Sequence, residues 1–344
     1  MLVYRKISIF LRGKWGIVMG SDREKATWVD FGKIFFAVCV VGIHTGFCRD
    51  STLVNTYIFP IAVPYFFMCS GFFLGRKIAR ASDWKDYRAV LAGYGKRLLV
   101  PYLFWGVWYF LMETKMNMAN AQMTAGNAMR YQALSWLITS PGGGLWYVQT
   151  ILILLMILWM ANSPKYRIGL LIAGIGLSAV PSLVGQDYGE IMDKVMSSRV
   201  FLWEGMYFLM GIVVGEKTEK GLPNTVSIGL ICLGIIGKVI GIGSGTGFIF
   251  KMLNLVTALG LFCLLYNTKA FYSKETSLVM RRWSTIIYFT HITVKYDVEA
   301  MFLAYQVPRR NIFFFAVMFI LLVWCLLWQR SGMKSKLYRM LYLG

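Results

Sequence analysis

Apolar runs of roughly 18 residues or more recur along this chain, parted by short polar stretches rich in Lys and Arg. A run of that length, coiled as a helix, crosses the hydrocarbon core of a bilayer. The pattern predicts ten spans, at about 28–47, 54–75, 98–113, 145–161, 168–184, 200–215, 226–246, 252–267, 283–300 and 311–328, the third and sixth being the shortest. The expected fold is therefore all-α, a polytopic membrane helical bundle. Three segments follow: a basic amphipathic tail at 1–27, a transmembrane domain at 28–330 and a basic tail at 331–344. The first has neither a long apolar core nor an A-x-A cleavage site, so it reads as an uncleaved cytoplasmic tail lying on the membrane surface. Within the seventh span, GIIGKVIGIGSGTG holds Gly237-x3-Gly241 and Gly241-x3-Gly245, a spacing that suits close helix packing. No soluble strand precedes it, so it is not a dinucleotide loop.

Composition agrees with the pattern: 57% of residues are hydrophobic and 15% charged, against about 25% charged in soluble domains. The net charge of +20 invites a nucleic-acid reading. The distribution removes it, because the basic residues border the spans and form no basic face on a soluble domain. With the N-terminus inside, 25 of the 36 Lys and Arg fall on cytoplasmic segments and 9 on outer ones, which predicts both termini cytoplasmic. Of the six cysteines, Cys39, Cys69, Cys232, Cys263 and Cys325 lie in spans and Cys48 at a span end. Without a CxxC pair or zinc spacing they read as small apolar core residues, and no metal is implicated.

Against this background the two histidines stand out, since both lie inside spans. Ionisable groups there are costly, and they mark chemistry, a transport path or polar pairing. Lys33 precedes His44 by eleven residues, three turns or roughly 16 Å of rise, so the two share a helix face. Asp30 lies one turn before Lys33 and is expected to pair with it. The orientation puts Lys33 near the cytoplasm, suited to an anionic donor, and His44 near the outer side, suited to taking a proton from an acceptor hydroxyl. In the ninth span Ser284, Tyr288, His291 and Lys295 form one stripe, either lining a tunnel or making a hydrogen-bonded seam. Glu204 needs a partner, for which Arg199 and Lys295 are candidates. Lys238, near the middle of the seventh span, has no partner legible in the sequence. Trp146, Tyr147 and Gln149 begin the fourth span, where interfacial aromatic residues are expected.

Six segments in order resemble the acyltransferase-3 family of integral membrane proteins. They are Lys33-x10-His44, AVPYFFMCSGFFLG (62–75), GKRLLVPYLFW (95–105), GGLWYVQTIL (143–152), RVFLWEGMYFLMG (199–211) and IIYFTHITV (286–294). The resemblance covers about residues 28–330. It implies transfer of an acyl group, most often acetyl, from cytoplasmic acyl-CoA to a hydroxyl of a carbohydrate or cell-envelope acceptor, in a multi-pass protein of a bacterial inner or plasma membrane. His44 would be the general base or the transient acyl carrier. Lys33, with Asp30, Lys96 and Arg97, would serve the donor. Glu204, Arg199, Tyr288, His291, Lys295 and Trp146 would line the substrate path. The family often has Arg where this chain has Lys33, and Lys keeps the charge without the bidentate fork. Two other readings stand beside it: a small-molecule or amino-acid transporter related to the membrane domain of serine racemases, and a membrane protein whose polar seams only pack. Monomer and homodimer are both open.

Overall fold

The computed structural model describes residues 27–120, 122–138, 144–184, 204–241, 247–306, 311–331 and 336–342. Among these there is no strand, and the elements are helices throughout. We number them α1 (Thr27–Thr45), α2 (Phe59–Ile78), α3 (Trp84–Asn120), α4 (Ala125–Ile138), α5 (Trp146–Leu158), α6 (Pro164–Val184), α7 (Gly205–Lys217), α8 (Asn224–Val239), α9 (Phe248–Asn267), α10 (Lys274–Ala304), α11 (Asn311–Ser331) and α12 (Lys336–Tyr342). Among the described residues, four stretches are long and apolar enough to cross a membrane by length and composition: Trp28–Thr45, Leu53–Ile78, Phe248–Asn267 and Asn311–Ser331. Each of the ten expected spans coincides with one helix, and the protein is an all-α polytopic bundle.

Several boundaries differ from the hydropathy pattern. The third expected span is the middle of α3, whose 37 residues reach about 55 Å at 1.5 Å each, well beyond the bilayer core. The ninth lies within the 31-residue α10. Both extend through polar turns that a helix carries freely once it leaves lipid, so hydropathy marks only their apolar part. The unpredicted α4 lies against α3, with the Gln132 amide donating to Glu113 and the Asn117 amide to Gln132. The C-terminal segment expected as a tail contains α12. There Trp105 Nε1 donates to Leu341 O at 3.0 Å and Trp324 Nε1 to the Tyr342 hydroxyl at 3.1 Å. The N-terminal tail up to residue 26 lies outside the described residues.

Two helix pairs pack backbone to backbone. On α2, a side chain at Gly71 or Gly75 would overlap the Phe208 or Ile212 carbonyl; on α7, one at Gly211 or Gly215 would overlap the Met68 or Phe72 carbonyl. These reciprocal Gly-x3-Gly faces bring the axes together as small residues do in membranes. The α8–α9 pair uses Gly234 and Gly237 against Thr257 and Leu253, and Gly260 against Ser227 O. The expected stripe through Gly241 is thus displaced by one turn. Gly241 has φ +75° and, among the described residues, nothing within 4 Å of a Cβ placed on it, and it follows the end of α8.

Lys238 gains a partner. A π-helical stretch, Leu53–Ile58, leads into α2, and Pro60 has no N–H to offer the Thr56 carbonyl four residues back. Lys238 Nζ takes that carbonyl at 3.0 Å and lies 4.9 Å from the Phe250 ring centroid and 5.9 Å from that of Tyr57.

Candidate functional site

Helices α1 and α10 pack side by side and carry two polar centres. The first joins their N-terminal parts. Asp30 is fully buried. Arg281 reaches it with two bonds, Nε to Oδ1 at 3.1 Å and Nη2 to Oδ2 at 2.6 Å, and Ser277 donates to Oδ2 at 2.6 Å. Lys33 Nζ is 3.4 Å from Oδ1 and 5.3 Å from the Phe73 ring centroid. The expected Asp30–Lys33 pair is present, but the shorter and bidentate partner is Arg281, which sequence reasoning missed. The Arg281-Arg282-Trp283 run is the only sequence signal for it, and nothing local links it to an aspartate 251 residues away.

The second centre lies further along the same helices. The His44 and His291 rings face each other with centroids 5.1 Å apart and planes at 46°. They border a small cavity whose wall includes Val63 and Phe66 of α2, Gly144, Trp146 and Tyr147 at the start of α5, and Tyr288 of α10. His44 is half-buried, whereas His291 is 1% exposed. His291 Nδ1 lies 3.1 Å from Ile287 O and 2.7 Å from Tyr288 O. Carbonyl oxygens only accept, so Nδ1 carries the proton. Nε2 is buried and has no hydrogen-bond partner among the described residues.

The aromatic wall is held by its hydroxyls. Tyr288 donates to Gly144 O at 2.5 Å, fixing α10 to the start of α5. The Tyr147 hydroxyl lies 2.5 Å from Ser70 Oγ and 3.2 Å from Phe66 O. Tyr147, expected as an interfacial aromatic, instead points its ring at Phe67 and Tyr288, at 4.5 and 5.6 Å.

The sequence model of an acyltransferase domain matches residues 26–329. The chain belongs to the acyltransferase-3 family. An amino-acid racemase of Enterococcus faecalis is 28% identical over 187 residues, which are 53% of this chain and 25% of that protein. This acyltransferase-3 chain thus matches about a quarter of the length of that relative. No solved structure matches it.

Of the site residues expected from sequence, this family member brings His44, His291, Tyr288 and Trp146 to one cavity. Asp30 and Lys33 meet at the other centre. Lys96 and Arg97 are exposed on α3, Arg97 folding onto its own helix through Gly93 O at 3.2 Å. Lys295, half-buried, pairs with Glu299 one turn on at 3.5 Å. Glu204 immediately precedes α7, where its carbonyl receives Tyr207 N at 3.2 Å. Arg199 lies outside the described residues. Ser284, in the same stripe as His291, spends its hydroxyl on Arg281 O at 2.8 Å. The described residues hold no group of three or more His, Cys, Asp or Glu placed to bind a metal.

Proposed function

We propose that this protein is a membrane O-acyltransferase. It moves an acyl group, most simply acetyl, from cytoplasmic acyl-CoA to a hydroxyl of a carbohydrate or cell-envelope acceptor in a bacterial inner or plasma membrane. The observation that carries the reading is the histidine pair. Two imidazoles from helices 247 residues apart in sequence meet at 5.1 Å across an aromatic-lined cavity. An imidazole, near neutrality in its ordinary range, both accepts and returns protons. A cavity walled by Val63, Phe66, Trp146 and Tyr147 limits the water that would hydrolyse a thioester. In this reading His44 handles the acyl group at the outer end of α1.

Lys33 serves the donor's phosphates or thioester end. Arg281 already balances the Asp30 charge through two bonds, so the ammonium of Lys33 adds a positive charge that the centre does not cancel. Its side chain is 19% exposed while that of Asp30 is 1% exposed. Asp30 then orients Lys33 rather than touching the donor. Lys96 and Arg97 contribute exposed positive charge on α3.

The test is purified protein in liposomes with labelled acetyl-CoA on the side of the termini and a panel of sugar acceptors on the other. Label on an acceptor, lost in His44→Ala, is the expected result. Wild type and His44→Ala behaving alike, with no acetyl-CoA bound by either, would sink the reading.

A further inference from the structure

We infer that His291 is the proton acceptor for the hydroxyl that receives the acyl group, which leaves His44 to the acyl side. The inference rests on the acyltransferase reading above. Among the described residues no carboxylate lines the cavity. Its two tyrosines are committed, Tyr288 donating to Gly144 O and Tyr147 bonded to Ser70 and Phe66 O. The groups left whose ring nitrogens can accept a proton are the two imidazoles.

Between the two, His291 has the geometry of a fixed base. Its single N–H is spent on the Ile287 and Tyr288 carbonyls, so Nε2 presents a bare lone pair. That nitrogen is on the far edge of the ring from those carbonyls, is buried, and has no partner among the described residues. A ring held by two carbonyls cannot turn to present its other nitrogen without breaking both bonds. Buried polar atoms are nearly always paired, and one left unpaired in a residue that lines a cavity calls for a ligand donor. A hydroxyl is that donor.

The step balances. As the acceptor oxygen bonds to the thioester carbonyl carbon, its proton passes to Nε2. The resulting imidazolium is stabilised by Nδ1–H against the two carbonyl oxygens. As the C–S bond breaks, the proton moves from Nε2 to the departing thiolate, which leaves an ester, a free thiol and neutral His291.

His291→Asn supplies the decisive contrast. The Asn amide can replace Nδ1–H toward the Ile287 and Tyr288 carbonyls but cannot act as a base. In the liposome assay, acetyl-CoA binding is expected to stay at the wild-type level while transfer falls by about 10²–10⁴-fold. Transfer near the wild-type rate would make the ring a packing element and overturn the inference, leaving the acyltransferase reading intact. Wild type that neither binds acetyl-CoA nor transfers acetyl overturns both. His291→Gln gives the same readout if the Asn variant does not fold. A measurement without variants at this position is nitrogen-15 NMR of histidine-labelled protein in liposomes, where only two residues report. His44→Ala assigns the remaining signal. The Nδ1–H tautomer for His291 is expected, and the Nε2–H tautomer would overturn the inference.

Discussion

Helices α1 and α10 meet at two polar centres that treat their groups in opposite ways. At the Asp30 centre each carboxylate oxygen is matched: Arg281 forks onto both, and Ser277 and Lys33 add one contact each. At the histidine centre the ring of His291 is held on one edge and left with an unpaired nitrogen on the other. A charge removed from water needs full compensation, so the first centre is built to hold the helices together. A group kept unpaired beside a cavity is built to meet something else. The same two helices thus provide the fastening and the pair of imidazoles proposed to react.

That contrast is broken most sharply at Asp30. Asp30→Ala leaves the part-exposed Arg281 guanidinium without its carboxylate, and a loss of about 1.5–3 kcal/mol is expected. The check is the thermal midpoint of the detergent-solubilised protein, and an unchanged midpoint would show that this centre is not the fastening. At the other centre His44→Ala is expected to lower transfer by at least about 10²-fold while the midpoint stays near wild type. The reverse pattern, with intact transfer and a lowered midpoint, would merge the two centres into one structural seam.

Smaller effects sharpen the outline. Gly71→Ala forces a methyl group into the Phe208 carbonyl of α7 and is expected to cost about 1–3 kcal/mol. Gly241→Ala carries no such clash but strains a left-handed backbone, at about 1 kcal/mol, and a larger loss there than at Gly71 would contradict the packing described. Lys238→Met leaves the Thr56 carbonyl without its donor, at about 1 kcal/mol. Thermal melts at several detergent concentrations measure all three.

How much of this was legible in the sequence depends on distance along the chain. The ten helices were, because apolar run length is a local property. The placement of Lys33 and His44 on one helix was, because a three-turn spacing is local too. The Asp30–Arg281 fork was not, since its halves belong to the first and ninth spans and like residues are common at span ends. Nor was the tautomer of His291, which is set by the path of the α10 backbone around the ring. The two glycine faces of α2 and α7 stand openly in the sequence as Gly71-x3-Gly75 and Gly211-x3-Gly215. They were overlooked beside the denser glycine run at 234–247, part of which caps a helix instead. The Lys238 partner had a local signal, Pro60, although only the fold shows which lysine answers it.

The meshing of α2 with α7 bears on the mechanics of the cavity. Where one backbone fills the side-chain-free face of another, the pair resists both sliding and rolling, and it deforms as a single beam. Val63 and Phe66 are mounted on that beam, so their side of the chamber is stiff. The facing side is joined by side chains instead: Tyr288 reaches Gly144 through its hydroxyl and stands against the Tyr147 ring. The two walls of this chamber are therefore mounted differently, backbone on backbone at α2 and side chain on side chain where α10 meets the start of α5.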